Sequence, residues 1–149
     1  MCLEHAVKMC ALVVSHCKQR GFAPVAVVVV DSHASVVCSM VMDGCPPFAY
    51  PKYAQAKATT AVSFGISSRA FRDRYISAPE KIAQMNSMIA SADGKICGFP
   101  GGVLLSQEGS VIGAIGVSGA ASDQDELLGL LAAREVGGFI LDPPSSPLD

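Results

Sequence analysis

The chain has 149 residues, half of them hydrophobic, with 11 basic and 13 acidic side chains and a net charge of −2. That length predicts one domain, and that hydrophobic share supplies a sizeable core. The near-balance of charge leaves no basic patch for nucleic acid, and the longest apolar run, residues 25–30, is far too short to span a bilayer.

Six cysteines stand at 2, 10, 17, 38, 45 and 97 without a Cys-x-x-Cys pair or a zinc-finger spacing. They read as reduced, mostly buried thiols of a cytoplasmic protein, with no structural zinc. Glu4, His5 and Lys8 interrupt the N-terminal stretch, which does not read as a signal peptide. Sparse charge and many small residues also suit a homo-oligomer, which hides apolar surface between subunits.

Residues 3–18 predict the first helix. Leu3, Val7, Cys10, Val14 and Cys17 form one stripe at three-to-four spacing. His5, Met9, Leu12 and His16 lie on the other side at about 100° per residue. A helix apolar on two sides implies two partners: its own sheet, and a neighbouring subunit or flat ligand. Gly21 stops it. Residues 25–31 read as a buried strand, 31–35 as a turn and 36–42 as its antiparallel partner. A proline- and aromatic-rich loop covers 44–51, with Pro51 as a first helical residue. Residues 52–64 predict an alanine-rich helix ended by Gly65. Ser67-Ser68 caps a short helix at 69–75. Residues 79–90 predict another helix, with Ile82, Met85 and Ile89 inward, and Ile96-Cys97 a short edge strand.

The distinctive stretch is 99–125. Gly101 and Gly102 permit positive φ or a close backbone approach. Residues 103–105 read as a strand, 107–110 as a turn around Gly109, and 111–117 as a second strand. Its interior glycines, Gly113 and Gly116, imply a neighbouring backbone or ligand packed tightly. Ser118-Gly119 turns the corner, and Ser122 with Asp125 resembles a capping box. Gly101-Gly102 and Ser118-Gly119 then sit at ends of adjacent strands and line one small pocket. Their N–H groups either bind an anion near the last helix or serve tight hairpin packing. No P-loop motif is present. Residues 123–135 predict the last helix, stopped by Gly137-Gly138. Residues 142–149, with three prolines in eight, read as a loose tail behind a domain of residues 1–141.

Gly101-Gly102, the Gly109 turn, the run from Gly113 to Ala120 and Gln124-Asp125 resemble the signature of the GlcG/HbpS-like family. Pro24 to Asp31, Met42-Asp43-Gly44 and Lys57-Ala58-Thr59-Thr60-Ala61 agree in order, so the resemblance covers roughly residues 3–136. That family includes haem-binding proteins and the C-terminal domain of PduO-type corrinoid adenosyltransferases. It implies profilin-like α/β/α layers around a single, mainly antiparallel sheet of about five strands, an arrangement the element order also suits. It further implies oligomeric assembly and a ligand such as haem or a corrinoid. Family members usually carry a glycine in the first hairpin turn and an arginine before Met-Asp-Gly. Here Ser32-His33-Ala34 and Val41 stand there, which removes one anion contact.

His16 is the first candidate for haem iron, since a neutral imidazole is a good axial ligand and the resemblance places haem histidines on helix one. The alternative is an exposed or interface histidine. His5, on the same face, is roughly 16 Å away along the helix, so the two can share a metal only across a subunit boundary. His33 reads as a solvated turn residue. Lys57, isolated among alanines, either snorkels to water or enters a pocket; the resemblance favours the pocket and a carboxylate partner, a haem propionate or a small acid. Asp43 and Asp125 are the acids nearest the motif, Asp125 as a helix cap. Cys97 is a weak candidate for a reactive thiol. Three functions remain open: a haem or tetrapyrrole binding module, a small-molecule enzyme or accessory acting on an organic acid through Lys57 and the two glycine loops, and an assembly unit.

Overall fold

The valine run is continuous because both faces of its strand are covered. The computed structural model describes residues 1–49 and 51–149. In β1 (Ala26–Asp31), Val27 and Val29 join Val25 in one core with α1 (Leu3–Arg20) and α5 (Ser122–Val136). Ala26, Val28 and Val30 enter a second core under α2 (Pro51–Phe64). β2 (Val36–Val41), β3 (Gly102–Gln107), β4 (Ser110–Ser118) and β5 (Ile140–Asp142) complete a five-stranded sheet in the order β2-β1-β4-β3-β5, every pairing antiparallel. Helices lie on both faces, the expected α/β/α layering. A single 3-10 turn (Pro47–Ala49) precedes α2. The short α3 (Ser68–Asp73) is capped by Ser67, whose hydroxyl accepts from Ala70 N, and α4 (Pro79–Ser91) follows.

The second layer is set by what is missing from β3 and β4. Gly102 and Gly116 are direct cross-strand partners. A Cβ on Gly116 would collide with the Ala54 carbonyl, and one on Gly102 with the Lys57 carbonyl. With Ala54, Ala58 and Ala61 facing them, these glycines let α2 lie on the sheet at backbone contact.

Four expectations change. The buried face of α1 is Ala6, Met9, Cys10, Val13 and Cys17, while Leu3 is 62% and Val7 42% exposed. The helix is rotated because its flank of His5, Leu12 and His16 meets α5 and the segment just after it in the same chain: His16 bonds Glu135, and His5 sits edge-on to Phe139. Helix one's second partner is therefore intramolecular. Ile96-Cys97 is not a strand, since Cys97 N donates to Thr60 Oγ1 instead of a ladder; the fifth strand is β5. In α4 only Met85 is buried, and Ile82 is exposed. Finally, the segment read as a loose tail starts inside β5 and folds back: Arg134 grips the Asp149 carboxylate and donates to the Pro144 carbonyl, and Pro143 and Ser146 are buried.

Candidate functional site

A lysine on α2 at backbone distance from the sheet has nowhere to snorkel. Lys57 is 4% exposed, and its Nζ donates to the Val117 carbonyl and to Asp125 Oδ2, both at 2.9 Å. Asp125, in the first turn of α5, is 2% exposed. Its Oδ1 accepts from Ala120 N at 3.0 Å. Burial pushes its carboxyl above the ordinary range, against the opposing pull of Lys57 and the Ala120 and Gly119 N–H groups. One buried ion pair thus ties α2, the end of β4 and the start of α5 together.

This revises several site expectations. Lys57 is in a pocket, but its carboxylate partner is the chain's own Asp125. The Ser118-Gly119 corner does present N–H groups to an anion, and that anion is again Asp125. Ser122 is not the N-cap: it is the first residue of α5, and Gln124 Oε1 accepts from Ala121 N at 3.2 Å. Gly101 and Gly102 serve close packing. Gly102 N donates to Ser68 Oγ, and the Gly101 carbonyl accepts from Val117 N. Gly101 has φ 127°, and a Cβ there would meet Lys57 Nζ at 3.0 Å.

The ion pair floors a cleft of about 320 Å³ at the end of β4. Ser118, Gly119 and Ser122 line it, and Phe48, Tyr53 and Phe99 form its rim. These aromatics are 72%, 47% and 59% exposed. A larger cleft beside Lys52, Thr59 and Asp93 has no buried charge among its lining residues.

A second ion pair, buried on its carboxylate side, adjoins the first. Glu126, fully buried, accepts from Arg69 Nε through both oxygens at 3.0 and 2.9 Å, and Arg69 also bonds Asp123. Burial raises the Glu126 carboxyl, opposed by Arg69. The first turn of α5 is therefore held by α2 through Lys57 and by α3 through Arg69. Sequence reasoning missed Arg69; the acid cluster Asp123, Asp125 and Glu126 was its only trace.

The histidines lie elsewhere. His16, 19% exposed, bonds Glu135 Oε2 at 3.0 Å in the seam between α1 and α5. That seam is on the opposite face of the sheet from α2, so His16 and Lys57 do not converge within one chain. His5 is exposed near the start of the same seam. His33 is exposed in the first hairpin turn, where Asp31 Oδ1 accepts from its backbone N–H and that of Ser35. Asp43 is exposed beside Val14 and Lys18, away from the Lys57 cleft. All six cysteines are unpaired. Burial pushes the Cys97 thiol up, which suppresses the thiolate expected of a reactive cysteine. Among the described residues no group of three or more His, Cys, Asp or Glu could hold a metal ion, and no helix is long and apolar enough to cross a membrane.

No curated protein matches the chain significantly. Solved structures do. The PduOC:haem complex superposes with a TM-score of 0.83 at 23% identity, over 95% of this chain and 98% of that one. A double mutant of HbpS from Streptomyces reticuli gives 0.78 at 28% identity, over 92% and 87%. Klebsiella pneumoniae ORFY gives 0.81 at 24%, over 91% and 90%. A family model described as haem degrading protein HbpS-like matches residues 1–134. That span runs through every helix to the last turns of α5 and takes in the Lys57 helix, both glycine loops and Asp125; the chain belongs to the HbpS-like family.

Proposed function

We propose that this protein is a haem or related tetrapyrrole binding module that works as a homo-oligomer in the cytoplasm. The observation that carries the reading is the family match over nearly the whole fold; one solved structure of the same layering is a haem complex. Side chains at the seam of α1 and α5 would hold the porphyrin. His16 offers an imidazole at the surface, and Glu135, which holds it, is 53% exposed. A contact that exposed on its carboxylate side contributes at most about 1 kcal/mol, so exchanging it for a bond to haem iron would cost little. Leu12, one turn back, and Phe139 give an apolar flank, since both are only partly buried. Met9 does not contribute, being wholly buried. Arg20 lies one turn beyond His16 on the same side of the helix, in reach of a propionate. Bound haem would supply an iron centre tuned by its axial ligand; the chain's part is to ligate, cover and orient it.

Assembly is supported by β2. It is an edge strand of the sheet, and exposed Val36 and Val41 add apolar surface to it. Such an edge is a template for pairing with another chain. Six unpaired thiols suit a reducing compartment.

Titration with haem tests the reading. Wild type and His33→Ala develop the same Soret band, and His16→Ala loses or shifts it. A full wild-type spectrum and affinity in His16→Ala would remove His16, and no haem binding by wild type would end the proposal. Light scattering at micromolar concentration that finds only monomer mass refutes the assembly.

A further inference from the structure

We infer that the cleft at the end of β4 is a second ligand site, separate from the haem seam, for a neutral planar ligand of one or two fused rings bearing a carbonyl. The floor sets the charge. Lys57 and Asp125 neutralise each other at 2.9 Å, and the corner N–H groups already serve Asp125. An incoming carboxylate would find no uncompensated positive charge and would face a buried carboxylate.

Hydrogen-bonding capacity remains. An ammonium has three protons, and Lys57 spends two, on Val117 and Asp125. Ser118, 8% exposed, lines the cleft, and its hydroxyl has no partner among the described residues. A carbonyl oxygen between them takes the third lysine proton, and a neighbouring N–H on the ligand serves the serine oxygen.

The rim sets the shape. Phe48, Tyr53 and Phe99 come from three separate segments and stay largely exposed around one opening. Exposed aromatics gathered on a concavity with few polar groups at its base are what a flat ligand needs. The volume of about 320 Å³ is at the low end of the about 300–1,000 Å³ of small-molecule sites, which suits one or two rings and not a tetrapyrrole.

The test uses an isosteric pair, quinoline-3-carboxamide and quinoline-3-carboxylate, titrated into the full chain by calorimetry or saturation-transfer NMR. The carboxamide binds at least about tenfold more tightly than the carboxylate. Phe99→Ala and Tyr53→Ala, exposed positions that leave the fold unchanged, each weaken it about five- to tenfold, as loss of one stacking face does. Ser118→Ala weakens it as well, and His16→Ala does not. Equal or tighter binding of the carboxylate, carboxamide affinity unmoved in both rim variants, or no binding by either probe at millimolar concentration overturns the inference. Haem titration of Phe99→Ala keeps the two readings apart: an unchanged Soret band leaves the sites separate, and its loss places haem in the cleft and overturns the second site.

Discussion

Replacing Lys57 by Met isolates what the buried pair contributes. Methionine fills most of the lysine stem's volume, so the change removes charge and two hydrogen bonds with little cavity. What remains is Asp125, 2% exposed, with only the corner N–H groups as partners. Removing one partner of a buried pair costs about 3–5 kcal/mol. With a urea slope of about 2 kcal/mol/M, the unfolding midpoint falls by roughly 1.5–2.5 M. The loss depends on pH with a definite sign. Burial already holds the Asp125 carboxyl above its unfolded value while Lys57 pulls it down, so deleting Lys57 raises it further. A group whose folded pKa is raised favours the folded state when protonated, and that contribution is lost as pH rises through the folded value. The penalty of Lys57→Met is therefore largest at neutral pH and shrinks as pH falls toward the ordinary carboxylate range. Glu126 is raised as well, but it titrates in both proteins and cancels in the difference. Urea unfolding at pH 7.5 and pH 5 in wild type, Lys57→Met, Asp125→Asn and the double variant measures the coupling. A penalty under about 1 kcal/mol, or one equal at both pH values, would refute the assignment of Lys57 and Asp125 as a buried charged pair.

Arg69→Ala leaves Glu126, fully buried, without its partner and lowers stability by at least about 3 kcal/mol, read by the same urea experiment. Gly116→Ala drives a Cβ into the Ala54 carbonyl and prevents stable folding or costs several kcal/mol. Gly65→Ala, at φ +66° in open space, costs only about 1 kcal/mol; the two are compared by thermal unfolding. Glu135→Gln frees His16 Nε2 from its carboxylate and strengthens haem binding in the Soret titration. Arg134 lowers the Asp149 carboxyl to about 2, so the C-terminal clamp persists above the ordinary carboxylate range and opens only as pH falls through about 2. Arg134→Ala opens it at neutral pH, seen as faster proteolysis of residues 143–149.

The valines of β1 could be read directly, since a strand buried on two faces has no polar alternation to blur. Gly101, Gly102 and Gly116 were also legible as places of close approach, though the sequence left open whether a ligand or a backbone comes close. Three features resisted. β5 has three residues, too few for any period. The rotation of α1 followed from α5, and apolar spacing on one helix does not say which of its flanks meets which neighbour. Lys57 stood out by isolation, but its partner lies 68 positions away, and only the crossing of α2 over the end of β4 brings them together. The rim was invisible for the same reason: Phe48, Tyr53 and Phe99 are joined by packing, not by sequence.

The glycine floor and the ion pair depend on one another. Because Gly102 and Gly116 carry no side chain, α2 sits at backbone distance from the sheet, too near for a lysine facing it to turn back to water. The route left to Lys57 runs along the sheet past Gly101, beside which Nζ lies, to the Val117 carbonyl at the end of β4. Desolvated there, the ammonium requires a counter-charge, and the first turn of α5 provides Asp125, a carboxylate at a helix start where the dipole favours it. The same contact leaves the cleft floor neutral and fixes its distance from the aromatic rim. A side chain at Gly102 would strike the Lys57 carbonyl, lift α2, draw Lys57 away from Asp125 and so disturb the cleft from beneath its floor.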